Sequence, residues 1–118
     1  MTIDDKAVEL GRLIGQSTEY QAVKRANDAL NNDSAAVTLL REMDQVRVDA
    51  QQMIERGLNP TPEMEQQLDD LLSQVQGNGA YQRAVSAQEN FDKIMLRVND
   101  QILDGIRKGA TSSIITLA

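Results

Sequence analysis

The stretch NGAYQRAVSAQENFDKIMLRVNDQILDGIRK, residues 78–108, decides how this chain must fold. It contains no proline, and no glycine interrupts it between Gly79 and Gly105. Ala80, Ala84, Ala87, Phe91, Ile94, Val98 and Ile102 recur at steps of three and four, with Val85, Met95 and Ile106 beside them. That period puts them on one face of a single helix. At 1.5 Å per residue such a helix is about 45 Å long. A compact domain of this size has a radius of gyration of about 13–14 Å, so the helix must overhang it. Its apolar stripe needs a cover, drawn from the rest of the chain or from a second copy.

The segments before it read as further helices. Residues 34–56 form the other long one, with Leu39, Met43, Val46, Ala50 and Met53 in a stripe that Leu40 and Ile54 widen. Asp33 or Ser34 caps its start, and Gly57 is the natural residue just past its end. In LNPTPEM (58–64), Pro60 cannot extend that helix, Thr61 can cap the next and Pro62 suits its first position. The helix that follows carries Met64, Leu68, Leu71, Leu72 and Val75 on one side, and the turn QGNG (76–79) closes it. Nearer the N-terminus, Ile3, Ala7, Leu10 and Ile14, with Leu13 beside them, mark a first helix over about 3–16. Tyr20, Val23, Ala26 and Leu30 mark a short second one over about 19–30, capped by Ser17 or Thr18. Tyr20 is read as a packing residue with its hydroxyl at the rim. Gly109 is expected to end the last helix. The tail 109–118, with Ile114, Ile115 and Leu117, is read either as docked on the bundle or a partner, or as a frayed end. The fold class is all-α: a single domain over 1–118, an antiparallel bundle of about five helices, two of them long (about 34–56 and 78–108).

Composition narrows the chemistry. Aromatics make up 3% of the 118 residues, so the core must be built from Leu, Ile, Val, Met and Ala. There is no cysteine, which excludes disulfides and thiolate metal sites. There is no histidine, which removes the usual general base and any Ser-His-Asp triad. A net charge of −6 disfavours salt-driven nucleic-acid binding. The charge is uneven: residues 34–76 hold eight acids and three bases, residues 77–118 four acids and five bases. No phosphate-binding glycine loop is present. Asp100 and Asp104, and the neighbours Asp69 and Asp70, are the paired carboxylates. A di-metal bundle needs acids facing inward from several helices, usually with histidines, so these pairs are read as solvated surface charge. Arg83, Arg97, Arg107 and Lys108 make the last helix modestly basic, without interleaved aromatics for base stacking. The acidic N-terminus MTIDDKAVEL lacks a signal-peptide pattern, and no apolar run reaches membrane-spanning length. A soluble, cytoplasmic protein is the expectation.

AQENFDKIMLRVNDQI, residues 87–102, resembles the final-helix pattern of the YlbF/YmcA/YheA family of small all-helical bacterial proteins. The shared features are the acid-containing run before Phe91, the pair Ile94-Met95, then Val98, Asn99 and Ile102. AVELGRLIGQSTEYQAVKRA (7–26) resembles the first two helices of that family and DSAAVTLLREMDQVRVDAQ (33–51) the third, followed by the Pro-containing turn, a fourth helix and Asn78. The likeness covers about residues 5–106. It implies non-enzymatic regulation: some members form a complex that assists the endoribonuclease RNase Y, with effects on competence, sporulation and biofilm formation. Some of those bind an iron–sulfur cluster through cysteines that this chain lacks. Ala84 stands where the family often has a tyrosine, with Tyr81 a turn earlier. The cysteine-free, YheA-like branch is therefore the nearer match.

Together these readings give a cytoplasmic helical adaptor that acts through protein–protein contacts. It is expected to pair with itself as a homodimer and with an unidentified cytoplasmic protein, such as an RNA-processing complex. No cofactor, metal or catalytic residue is expected. Leu39, Met43, Val46, Phe91, Ile94, Met95, Val98 and Ile102 are the expected core or interface residues. The rival readings are an RNA-associated factor using the basic side of the last helix and a purely structural bundle.

Overall fold

A computed structural model describes residues 1–117, with side chains over 1–111. It contains five helices: α1 (Ile3–Gly15), α2 (Thr18–Asn32), α3 (Ser34–Glu55), α4 (Pro62–Gln76) and α5 (Gly79–Leu117). No strand occurs among the described residues. Local chemistry sets each boundary. Thr2 Oγ1 accepts from the Asp5 amide at 3.0 Å while the Asp5 carboxylate accepts from the Thr2 amide at 3.1 Å, a reciprocal capping box. Ser17, Asp33, Thr61 and Asn78 each accept from the amide three residues on, opening α2 to α5. α3 stops at Gly57, whose φ of +78° no L-residue adopts cheaply. The Leu58 amide reaches back to the Met53 carbonyl at 2.8 Å and the Gly57 amide to the Ile54 carbonyl at 3.0 Å, closing a Schellman end.

The helices pair unevenly. α3 and α4 fold back on each other as an antiparallel hairpin, and α2 lies along α5. α1 and α4 touch their neighbours only lightly beyond these pairs. The core is small. Met43, Val46, Leu71 and Val75 form its centre, with Leu39, Leu40, Leu68 and Tyr81 packed around them. Val23, Ala36 and Ala80 are the other buried apolar residues. α1 contributes no buried residue, and α5 contributes one among the described side chains, Ala80 in its first turn. The radius of gyration is 21.9 Å and the longest dimension 69 Å, far from the roughly 13–14 Å radius of a compact chain of this length.

The sequence places the end of the last helix at Gly109, and the structure does not: the helix continues past it. α5 has 39 residues and continues to Leu117. A lone interior glycine costs only about 1 kcal/mol relative to alanine, and no proline follows to enforce a stop. Gly57 is the one glycine with a positive φ among the described residues, so Gly109 keeps a negative one. The apolar side chains of Ile114, Ile115 and Leu117 lie outside the described ones. No helix among the described residues is long and apolar enough to cross a membrane.

Two substitutions test this account. Met43 is 4% exposed at the centre of the α3–α4 core, so Met43→Ala should lower the unfolding free energy in urea by about 2–4 kcal/mol. Gly57→Ala meets no steric obstacle but forces alanine to positive φ, and should cost about 1–2 kcal/mol in the same assay. A neutral Gly57→Ala would mean that the turn can relax out of the left-handed region.

Candidate interaction surface

Reactive chemistry has no sheltered place in this structure. No polar or charged side chain is buried among the described residues, and Ser17, Asp33, Thr61, Asn78 and Asp104 are among those half-buried. No group of three or more acids is close enough there to hold a metal ion. The carboxylate pairs serve the surface: Asp104 takes Lys108 in an i,i+4 ion pair at 2.9 Å, and Asp70 accepts from Gln66 Nε2 at 2.9 Å. Pairs of this kind add a few tenths of a kcal/mol to an exposed helix.

Unused apolar surface is what the molecule offers instead. Ile94, Met95, Leu96, Val98, Ile102, Leu103 and Ile106 crowd a short run of α5, and none of them is buried. α2 packs along α5, and its Tyr20 ring meets Phe91 edge-on at 5.4 Å between centroids. Beyond that contact α1 takes over but stands away from α5. Leu10 faces Ile94, Arg97, Val98, Gln101 and Ile102 across an open groove of about 450 Å³. Ile94, Val98 and Ile102 succeed each other at steps of four, so they form a continuous apolar floor. Arg97 and Gln101 supply hydrogen-bond donors at the edge. Such a groove can hold an apolar helix face and satisfy polar groups along its rim. Of two further depressions, the one beside Pro62–Gln74 is lined mostly by Gln, Glu and Asp, and the one beside Gln76–Glu89 mixes Gln76, Gln82 and Glu89 with Tyr81, Val85 and Ser86.

The residues singled out from the sequence fall in three places. Met43 and Val46 are buried between α3 and α4, with Leu39 partly buried beside them. Phe91 is half-buried against Tyr20. Ile94, Val98 and Ile102 floor the groove, Ile102 with 46% of its surface exposed. Met95 is half-buried and does not line it. Leu10 was absent from that set although it lies opposite Val98. Its signal was the stripe Ile3, Ala7, Leu10, Ile14, which needed a covering partner no less than α5 did. Among the bases of the last helix, Arg97 edges the groove and Lys108 is tied to Asp104.

The half-burial of Phe91 sets the cost of removing it. Phe91→Ala should lose about 2 kcal/mol of stability, below the roughly 3–5 kcal/mol of a fully enclosed ring. Urea titration measures the difference, and a loss under 1 kcal/mol would show that the Tyr20 contact does not hold the ring in solution.

Comparison with known proteins adds an independent line. The family model described as control of competence regulator ComK, YlbF/YmcA, matches residues 3–107. A UPF0342 protein of Leuconostoc mesenteroides is 25% identical over 100 residues, covering 85% of this chain and 86% of the relative. One from Limosilactobacillus reuteri is 26% identical over 107 residues, covering 91% and 87%. One from Streptococcus mutans reaches 30% identity over 91 residues, covering 75% and 80%.

Proposed function

From the premise that the chain belongs to the YlbF/YmcA family, a family described by its control of the competence regulator ComK, we propose that it is a non-enzymatic regulatory adaptor. It works in the cytoplasm as a single helical domain, through contacts with proteins, and pairs with itself as a homodimer. Its regulatory output is exerted on an RNA-processing complex or another controller of cell state. The observation that carries this reading is the coexistence of a long uncovered apolar surface on α1 and α5 with the absence of any buried polar group among the described residues. A surface of that kind suits binding to other helices, and nothing beside it supplies an acid, a base or a nucleophile out of water.

The acidic α3–α4 hairpin agrees with a protein partner more than with RNA. Eight acids against three bases over residues 34–76 repel a phosphate backbone. Bases on α5 are few, and Phe91, the one phenylalanine, is engaged with Tyr20 rather than presented for stacking.

Analytical ultracentrifugation should find a species of twice the 13.0 kDa chain mass at micromolar concentration. A stable monomer there sinks the homodimer. Affinity capture from native cytoplasm should retain a stoichiometric protein after nuclease treatment. Capture that nuclease abolishes, together with salt-dependent binding of single-stranded RNA lost on Arg97→Ala and Arg107→Ala, would favour the RNA-associated reading instead.

A further inference from the structure

We propose that the groove between α1 and α5 is the self-association face, and that α5 of a second copy lies in it antiparallel, centred between Val98 and Asn99. The proposal rests on the homodimeric reading above and fixes its face and direction.

Surface area comes first. The chain exposes 8963 Å². A compact monomer of 13.0 kDa exposes about 6,300 Å², so roughly 2,600 Å² is in excess. An obligate homodimer interface takes about 1,000–2,500 Å² from each partner. The excess is therefore large enough for one such interface, with some left for the projecting α3–α4 hairpin. Along the arc from Ile94 to Ile106, Leu96, Ile102, Leu103 and Ile106 are exposed and no apolar side chain is buried. A helix apolar over so much of its circumference is normally covered from more than one side.

Charge then chooses the occupant and its direction. Along one edge of α5, Glu89, Lys93, Arg97, Asp100, Asp104 and Lys108 follow at steps of four, four, three, four and four. At 3.6 residues per turn they stay within about 100° of arc, on the side where Arg97 edges the groove, and Arg107 is the one further charge in that arc, with the neutral Asn90 as its counterpart. The signs of that row run minus, plus, plus, minus, minus, plus. Both the spacing and the signs invert about the midpoint of Val98 and Asn99. In an antiparallel pair of helices each edge meets the same edge of its partner. A two-fold axis at that midpoint brings Arg97 opposite Asp100 of the second copy, Lys93 opposite its Asp104, and Lys108 opposite its Glu89, so the Lys108–Asp104 pair within each chain is shared with or exchanged for these contacts. Every such pair is made twice by symmetry. The floor of the groove, Ile94 to Ile102, is centred on the same point, so the apolar contact and the charge pattern coincide. A parallel pair would instead set this edge against Met95, Asn99 and Ile106, which offer no charge.

The chain has no cysteine, so single introduced cysteines give unambiguous contacts. Val98 lies beside the proposed axis, and Leu96, 64% exposed, lies about 160° away round the helix. Full-length Val98→Cys should form a disulfide-linked dimer under mild oxidation, and Leu96→Cys should not. Arg97→Asp and Asp100→Arg should each weaken dimerisation by about tenfold at low salt, and the double swap should restore it to within about threefold. Linking through Leu96→Cys alone would overturn the assigned face, and reversals without effect would overturn the antiparallel register; in both cases a dimeric wild-type protein keeps the homodimeric reading intact. A wild-type monomer at micromolar concentration overturns both.

Discussion

The rest of the structure depends on one mismatch of lengths. α5 has 39 residues, about 58 Å of helix, whereas the next longest, α3, has 22. A helix is held in a protein mainly by burial of its apolar stripe. Here α2 packs along α5, and α3 and α4 turn away to bury each other. From Ile94 to Ile102, α5 faces α1 across an open groove, and α1 is short and contributes no buried residue. Extended shape, thin core and open groove all follow from this single inequality.

The same arrangement decides what the protein can do. A pocket that tunes an acid or a base needs low-dielectric walls around polar groups. Among the described residues no polar side chain is buried. What the fold does provide is rigid, continuous helix surface. Caps at Thr2, Ser17, Asp33, Thr61 and Asn78 fix where each helix begins, so the apolar and charged rows keep their register over long distances. Information in such a molecule resides in the order of residues along a face. The inverted charge row on α5 is an instance: it is invisible in composition and obvious along one edge.

The family relationship and the physical reading meet at that helix. The YlbF/YmcA family is described by its control of the competence regulator ComK, and α5 carries much of the stretch its model matches. The acidic α3–α4 hairpin lies on elements other than α1 and α5.

Much of the fold was legible in the sequence because its determinants are local. Steps of three and four, Gly57, Thr61-Pro62 and Asn78 specify helix type and helix ends through contacts within a few residues, and five helices emerged close to their observed bounds. The last boundary was misplaced because glycine is only a weak helix breaker and Gly109 has no second signal beside it. The same apolar period also could not separate core from surface. Leu39, Met43 and Val46 share their pattern with Ile94, Val98 and Ile102, yet the first group packs against Leu68, Leu71 and Val75 while the second floors an open groove. Periodicity records that a face seeks cover; which face finds it within the chain depends on the relative lengths and directions of helices far apart in sequence. The sequence by itself determined the helices, their caps and the absence of histidine and cysteine chemistry, since each rests on residue identity and near neighbours. Only the tertiary structure decided that α3 and α4 satisfy each other and that α1 and α5 do not, because that outcome is a competition among surfaces, settled in three dimensions.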